Sequence, residues 1–451
     1  MNKSLLLLLS IALVHVGNTQ TNPIILSWLQ NTTQTGSHYV QGNSTAIQDN
    51  VPVNCQAVQY STNWVYVTTN GIPAYPTGPF LDGNPSIATD QNAIFKMPLT
   101  PTPNTANPTA TNGGNIGIFI NGVALFDYRD GVSWRNATNS LAGGPLGGMG
   151  DQVWNRDAIV AEREGFDCSK GHPAMGNYHH HQNPSAFDLD LTVISDVCNL
   201  YAADGLYAIN PNEHSPLIGF AYDGYPIYGA YGYLNTDGTG GAVRMKSSYQ
   251  LRDITVRTTY ANGTSVTPGP AVSATYPLGY FREDYEYVPT SASTPDYLDE
   301  HNGRFCVTPE YPNGMYCYFT TVDENWNSAY PYAVGPTFYG NKVASKVTSI
   351  TEATTIYLPT PTSQLEVSDE WMYTVFPNPA SELIAVQYKG MNKGTKIIQL
   401  IDGSGRAVKT SQIVAGATIA YFDVSTLYNG EYFIVIREGQ QAKTQKINVI
   451  H

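Results

Sequence analysis

Charge is scarce in this chain. Asp, Glu, Lys and Arg make up 13% of its 451 residues, about half the ~25% of an average soluble protein, which excludes coiled coils and long exposed helices built on Glu/Lys/Arg pairs. Basic residues are the rarer sign: 23 Lys and Arg against 36 Asp and Glu leave a net charge of −13. That balance opposes general attraction to a phosphate backbone or an anionic bilayer, so nucleic acid is not an expected partner. No apolar run approaches the ~20 residues that cross a hydrocarbon core, so no membrane span is expected. Gly-x-Ser-x-Gly is absent, which removes the strained turn that presents a Ser/His/Asp hydrolase nucleophile. Cysteine is limited to Cys55, Cys168, Cys198, Cys306 and Cys317.

What is present points to a folded, mostly β chain. Apolar residues reach 42%, with 32 Tyr, 41 Gly and 29 Pro, enough for a large core cut into short segments by turn formers. Residues 1–19 combine Lys3, an apolar run from Leu5 to Val14 and small residues at Gly17 and Thr19, the layout of a cleaved secretory signal. Residues 20–357 read as a large β-rich domain with irregular loops. Its strands are expected at Trp64 to Thr69, Ile116 to Asn121, Ala186 to Ile194, Leu217 to Tyr222 and Met315 to Thr321. A helical period is expected only over Val153 to Gly165. Thr100 to Gly114 is a surface loop, and the Pro/Thr/Ser-rich residues 358–370 form a linker.

In an exported chain disulfides are permitted. Taking Asn313-Gly314 as a two-residue hairpin turn places Cys306 opposite Thr321, four residues from Cys317 and roughly 13 Å away, too far for a bond. Cys168 with Cys198 is the favoured pair, and a thiolate ligand role for Cys168 is the alternative.

After the linker the charge reverses. Residues 371–451 carry 8 basic and 5 acidic side chains, 8 − 5 = +3, against 15 − 31 = −16 before them, as for a separate module. Short strands at Leu383 to Tyr388, Lys396 to Ile401, Ala407 to Thr410, Thr418 to Val424, Glu431 to Arg437 and Gln445 to Ile450 describe a small β-sandwich. Val375-Phe376-Pro377-Asn378-Pro379-Ala380-Ser381, Ile401-Asp402-Gly403-Ser404-Gly405 and Asp423 to Tyr432 resemble the C-terminal sorting domain of the type IX secretion system. The resemblance implies a Bacteroidota-type bacterium, the type IX machinery as partner, and release or attachment at the outer cell surface.

Three of the 9 His are consecutive. Asn177 to Gln182 reads as an extended strand, so His179 and His181 project from one face and His180 from the other. Two imidazoles at i and i+2 can converge on one ion, His172 can swing back across a Gly/Pro-containing loop as a third ligand, and His214 can be a fourth. Asp223, at a strand end in Asp223-Gly224-Tyr225-Pro226, can ligate, orient an imidazole or simply make a turn. Imidazole suits Zn, Cu, Ni and Fe(II), with copper or zinc the leading candidates. A hydrogen-bonded structural His network is the competing reading. His301 reads as a turn residue.

The stretch Tyr178-His179-His180-His181 resembles the Tyr-His-Tyr-His motif of the YHYH protein family. Asn70-Gly71-Ile72-Pro73, Ile116 to Val123, His214 to Gly229, Leu298 to Phe305 and Tyr311-Pro312-Asn313-Gly314 resemble other recurrent blocks of the same family. The family's activity is unassigned, and its motif invites a metal-binding reading. His180 replaces the second Tyr, on the face away from the chelating pair, and Tyr75 stands where many relatives carry His. Whether a metal would be catalytic turns on an open coordination position, which sequence does not reveal. The competing class is a non-catalytic surface module for glycans or proteins, with Tyr225, Tyr228, Tyr231 and Tyr233 either packing or forming a sugar-stacking rim.

Overall fold

The computed structural model describes residues 22–31, 33–83, 86–184, 206–207, 209–290, 294–358, 373–388, 396–402, 407–414, 417–438 and 441–451. The expected signal segment, the strand Ala186 to Ile194, Cys198 and all but Leu358 of the expected linker lie outside them. The chain divides into two compact units, Met1–Leu358 and Pro359–His451. In both, the regular elements among the described residues are almost all strands, and no helix there is long and apolar enough to cross a membrane.

The large unit is organised by an eight-stranded sheet. Its order is Gly171–Ala174, Asn177–His180, Ala124–Phe126, Asn115–Phe119, Leu217–Ala221, Pro226–Tyr228, Met315–Phe319 and Gly303–Cys306. A five-stranded sheet that includes Cys55–Tyr60, Trp64–Thr69 and Ala93–Pro98 supplies Val58, Val65, Val67, Phe95 and Met97 to the core. The larger sheet contributes Ile118, Phe119, Phe220, Ile227 and Tyr318 to the same cluster. Leu217–Ala221 is buried at every position, as expected of a strand covered on both faces. A third, three-stranded sheet joins Asn155–Asp157, Arg129–Arg135 and Ser140–Gly143.

Several expectations need correction. The helix over Val153 to Gly165 is a strand, Asn155–Asp157, followed by single turns at Ala158–Ala161 and Arg163–Gly165. Glu283 accepts from the Asn155 backbone N–H at 2.7 Å and from its amide at 2.8 Å, which holds that segment extended. Asp157 then caps the helical turn by accepting from the Ile159 N–H at 2.8 Å. The hairpin register is also different: Cys306 pairs with Met315 and Cys317 with Arg304. Asn313-Gly314 is not the whole connection, because Thr308 and Tyr311 first form their own turn. The two thiols are therefore near neighbours on one face of the hairpin rather than far apart. Cys55, Cys306 and Cys317 are free and buried, whereas Cys168 is disulfide-bonded, which rules out a thiolate ligand role for it.

The small unit has two sheets. One holds Tyr373–Phe376, Leu383–Tyr388 and Ile419–Asp423; the other holds Ala407–Ile413, Lys396–Asp402, Gly430–Glu438 and Gln441–Val449. Alternate residues such as Ile398, Leu400, Ile434, Ile436, Ile384 and Val386 meet in its own core.

Candidate metal centre

The site begins with a tight hairpin. Gly171–Ala174 and Asn177–His180 pair antiparallel, with His172 directly opposite His179. The connection is two residues long, and both Met175 and Gly176 have positive φ, 50° and 82°, the requirement of a turn whose twist matches its strands. The tip is docked: the Gly176 N–H donates to Ser86 at 3.0 Å and its carbonyl accepts from the Thr89 N–H at 2.9 Å. At the base, buried Asp167 accepts from the Ser169, Gly171 and Gly78 N–H groups and from the Tyr178 hydroxyl at 2.8 Å. The motif tyrosine is thus a rivet for the hairpin rather than a surface group.

Alternation sorts the three consecutive histidines. His180 turns away, hydrogen-bonds the Tyr75 hydroxyl through Nε2 at 2.9 Å and meets Phe119 edge-on. Tyr75 and His180 therefore touch each other. His179 and His181 face the opposite side and converge on His172. His179 Nε2 lies 3.1 Å from His181 Nε2, which lies 3.4 Å from His172 Nε2. All three ligand atoms fall within 4.8 Å of one another, a group that can hold a metal ion. The rings are walled by aromatics: Phe126 stacks on His179 at 3.8 Å, and Phe166 meets His172 edge-on at 4.9 Å.

Proton positions follow from the carbonyls around the rings. His179 Nδ1 donates to the Asn177 carbonyl at 2.9 Å, and His181 Nδ1 donates to the Asp127 carbonyl at 2.6 Å. A carbonyl oxygen only accepts, so both Nδ1 atoms carry the proton and each neutral ring presents an Nε2 lone pair to the centre. Burial pushes the His181 imidazole down to about 4 and holds His179 well below its ordinary range, with the neighbouring histidines adding to the effect. These rings are neutral at pH 7, which is the ligand form.

Glu162 was not singled out by sequence, where Ala161-Glu162-Arg163-Glu164 offers nothing to separate it from exposed Glu164. The end of the Ala158–Ala161 turn aims it at the histidines. Its Oε2 is 3.3 Å from His172 Nε2 and 3.5 Å from His181 Nε2. Burial raises the carboxyl, but His172, His181 and Arg156 beside it lower it further, so it remains ionised at pH 7.

His214 and Asp223 are not brought to this group. His214 donates to the Ser215 carbonyl at 2.7 Å and packs against Tyr228, Tyr233 and Phe319. Asp223 is fully buried, accepting from the Tyr318 hydroxyl at 2.6 Å and the Gly340 N–H at 2.9 Å. Burial raises its carboxyl to about 6. It makes the Asp-Gly turn and pins a neighbouring segment. His301 likewise bonds Thr337 at 2.6 Å. Tyr225, Tyr228 and Tyr231 are buried and Tyr233 is half-buried against His214, so these rings mainly pack.

Residues 94–331 match the family model described as YHYH protein, and residues 374–450 match that of a secretion system C-terminal sorting domain. No curated protein matches the chain. The sorting domain marks a secreted or outer cell-surface protein.

Proposed function

Because the chain belongs to the YHYH protein family, whose region here holds the histidine group, we propose that this region binds a divalent transition-metal ion through Nε2 of His172, His179 and His181. The observation that carries this reading is the pair of Nε2 atoms 3.1 Å apart on His179 and His181, whose Nδ1 protons are already committed to carbonyl oxygens. Two lone pairs facing each other in a buried site repel, and a direct N–H···N bond would need an imidazolium that burial disfavours. A cation shared between them removes the conflict. The nitrogen-rich donor set suits zinc or copper and offers no soft sulfur ligand.

The test is metal content of the purified protein after loading and dialysis. One equivalent of zinc or copper is expected, lost in the His179→Ala/His181→Ala double variant. A folded wild-type protein that takes up neither metal would reject the reading.

A second reading has its own support. An open cavity of about 640 Å³ is lined by Tyr249, Tyr260, Tyr285 and Tyr287 together with Asn155 and Arg282, aromatic faces and polar groups of the kind that hold sugars. Polysaccharide binding that persists in a chelator and is lost on replacing Tyr260 and Tyr287 by Ala would favour a glycan-binding role.

A further inference from the structure

We infer that Glu162 is the fourth ligand of this centre, and that it closes the coordination sphere to make a four-coordinate His172/His179/His181/Glu162 site with no open position. The inference rests on the metal reading above and adds what kind of site it is.

The distances carry it. A zinc-sized ion sits ~2.05 Å from imidazole nitrogen and carboxylate oxygen, so the edges of its ligand tetrahedron are ~3.3 Å, whereas neighbouring ligands of an octahedron would be ~2.9 Å apart. The edges found here are 3.1 Å for His179 to His181, 3.4 Å for His172 to His181, 3.3 Å for Glu162 to His172 and 3.5 Å for Glu162 to His181. These four edges bracket the tetrahedral value, whereas the ligand atoms of His172 and His179 stand up to 4.8 Å apart and must draw together to share an ion. Oε2 of Glu162 is itself buried and, among the described residues, has no hydrogen-bond partner. A buried carboxylate oxygen without a donor is costly, and a metal bond satisfies it.

The carboxylate is also held in place from behind. Glu162 ends the turn Ala158–Ala161, donating its N–H to the Ala158 carbonyl at 2.8 Å and accepting from the Gly165 N–H at 2.8 Å. That turn is capped at its start by Asp157, and Arg156 just ahead of it is fastened by an ion pair to Asp130. Three ligands thus come from the hairpin segment and one from a separately anchored turn, four protein ligands in all, whereas catalytic sites keep three and leave one position to water. A centre closed by Glu162 stores or stabilises with its cation and does not activate a substrate.

Cobalt(II) substituted into the full-length protein reports the geometry directly. The wild type is expected to show the intense visible bands of a four-coordinate ion, unchanged by added azide. Glu162→Ala is expected to keep the cobalt but become azide-sensitive, and Glu162→Gln to lose at least about tenfold in affinity, with circular dichroism confirming that both variants are folded. Stoichiometric cobalt in the wild type with weak bands or an azide response overturns the closed sphere and leaves the histidine centre standing. Unchanged spectrum and affinity in both Glu162 variants does the same. A wild type that takes up no cobalt, zinc or copper overturns the metal reading itself.

Discussion

His179 and His180 are adjacent in the chain and differ in every other respect. His179 presents Nε2 to two other imidazoles, while His180 reaches back to a tyrosine hydroxyl and packs on Phe119. Their order along the strand decides this, since each residue flips to the opposite face. Asp223 shows the opposite lesson, a residue whose sequence setting suggests chemistry and whose surroundings supply donors enough for a structural carboxylate. Burial raises it from its ordinary 3.8 to about 6. The folded state therefore holds its proton more tightly than the unfolded chain, and its contribution to stability is full below pH ~4 and declines as pH rises through ~6. Asp223→Asn turns an amide NH2 toward the backbone N–H of Tyr225 or Gly340, so it is expected to remove this pH dependence and to cost about 1–3 kcal/mol through the lost acceptor. Urea unfolding of both proteins at several pH values measures the difference. Metal uptake should be unaffected, and its loss would restore Asp223 to the site.

At the scale of elements, the decisive unit is the hairpin Gly171–Ala174/Asn177–His180, whose register sets His172 against His179. Gly176 is required there twice over: its φ is +82°, and a Cβ would come within 2.0 Å of Thr89 Oγ1. Gly176→Ala is expected to cost roughly 2 kcal/mol and to weaken metal binding, because the tip must lift from Thr89 and carry the register with it. Adding Thr89→Ala should recover part of the loss in a thermal melt, relieving the clash but not the backbone strain. No recovery would mean that the contact is not what fixes the turn. Alternation made His179 and His181 legible as a pair, and strand existence was legible wherever apolar runs met turn formers, as at Trp64–Thr69. Register was not. Met175-Gly176 is a two-residue loop that points to the His172–His179 pairing, yet Asn313-Gly314, the stronger local signal, is only part of a longer connection. Glu162 and the Asp127 carbonyl were hidden because both reach the site from elements whose placement depends on distant partners such as Glu283, and such contacts leave no local periodicity.

Across the whole molecule, the break near Leu358 separates two units with separate cores. All four proposed ligands lie in the first, so a protein ending at Leu358 is expected to bind the same equivalent of metal with the same affinity. Calorimetry of the full chain should show two unfolding transitions, and adding metal should raise only one of them. A truncated protein that melts at lower temperature in the metal-bound state would show that the tail contributes to the large unit. Export is the function the tail retains, and its removal is expected to leave the protein inside the cell envelope. The hairpin has one more implication, for timing. Three of the proposed donors fall between His172 and His181, and closing so short a stretch costs little chain entropy. If these donors hold an ion, a newly made chain can grip it as soon as this segment bends, before the far strands have found one another, and the compartment where folding begins then sets which cation is met first.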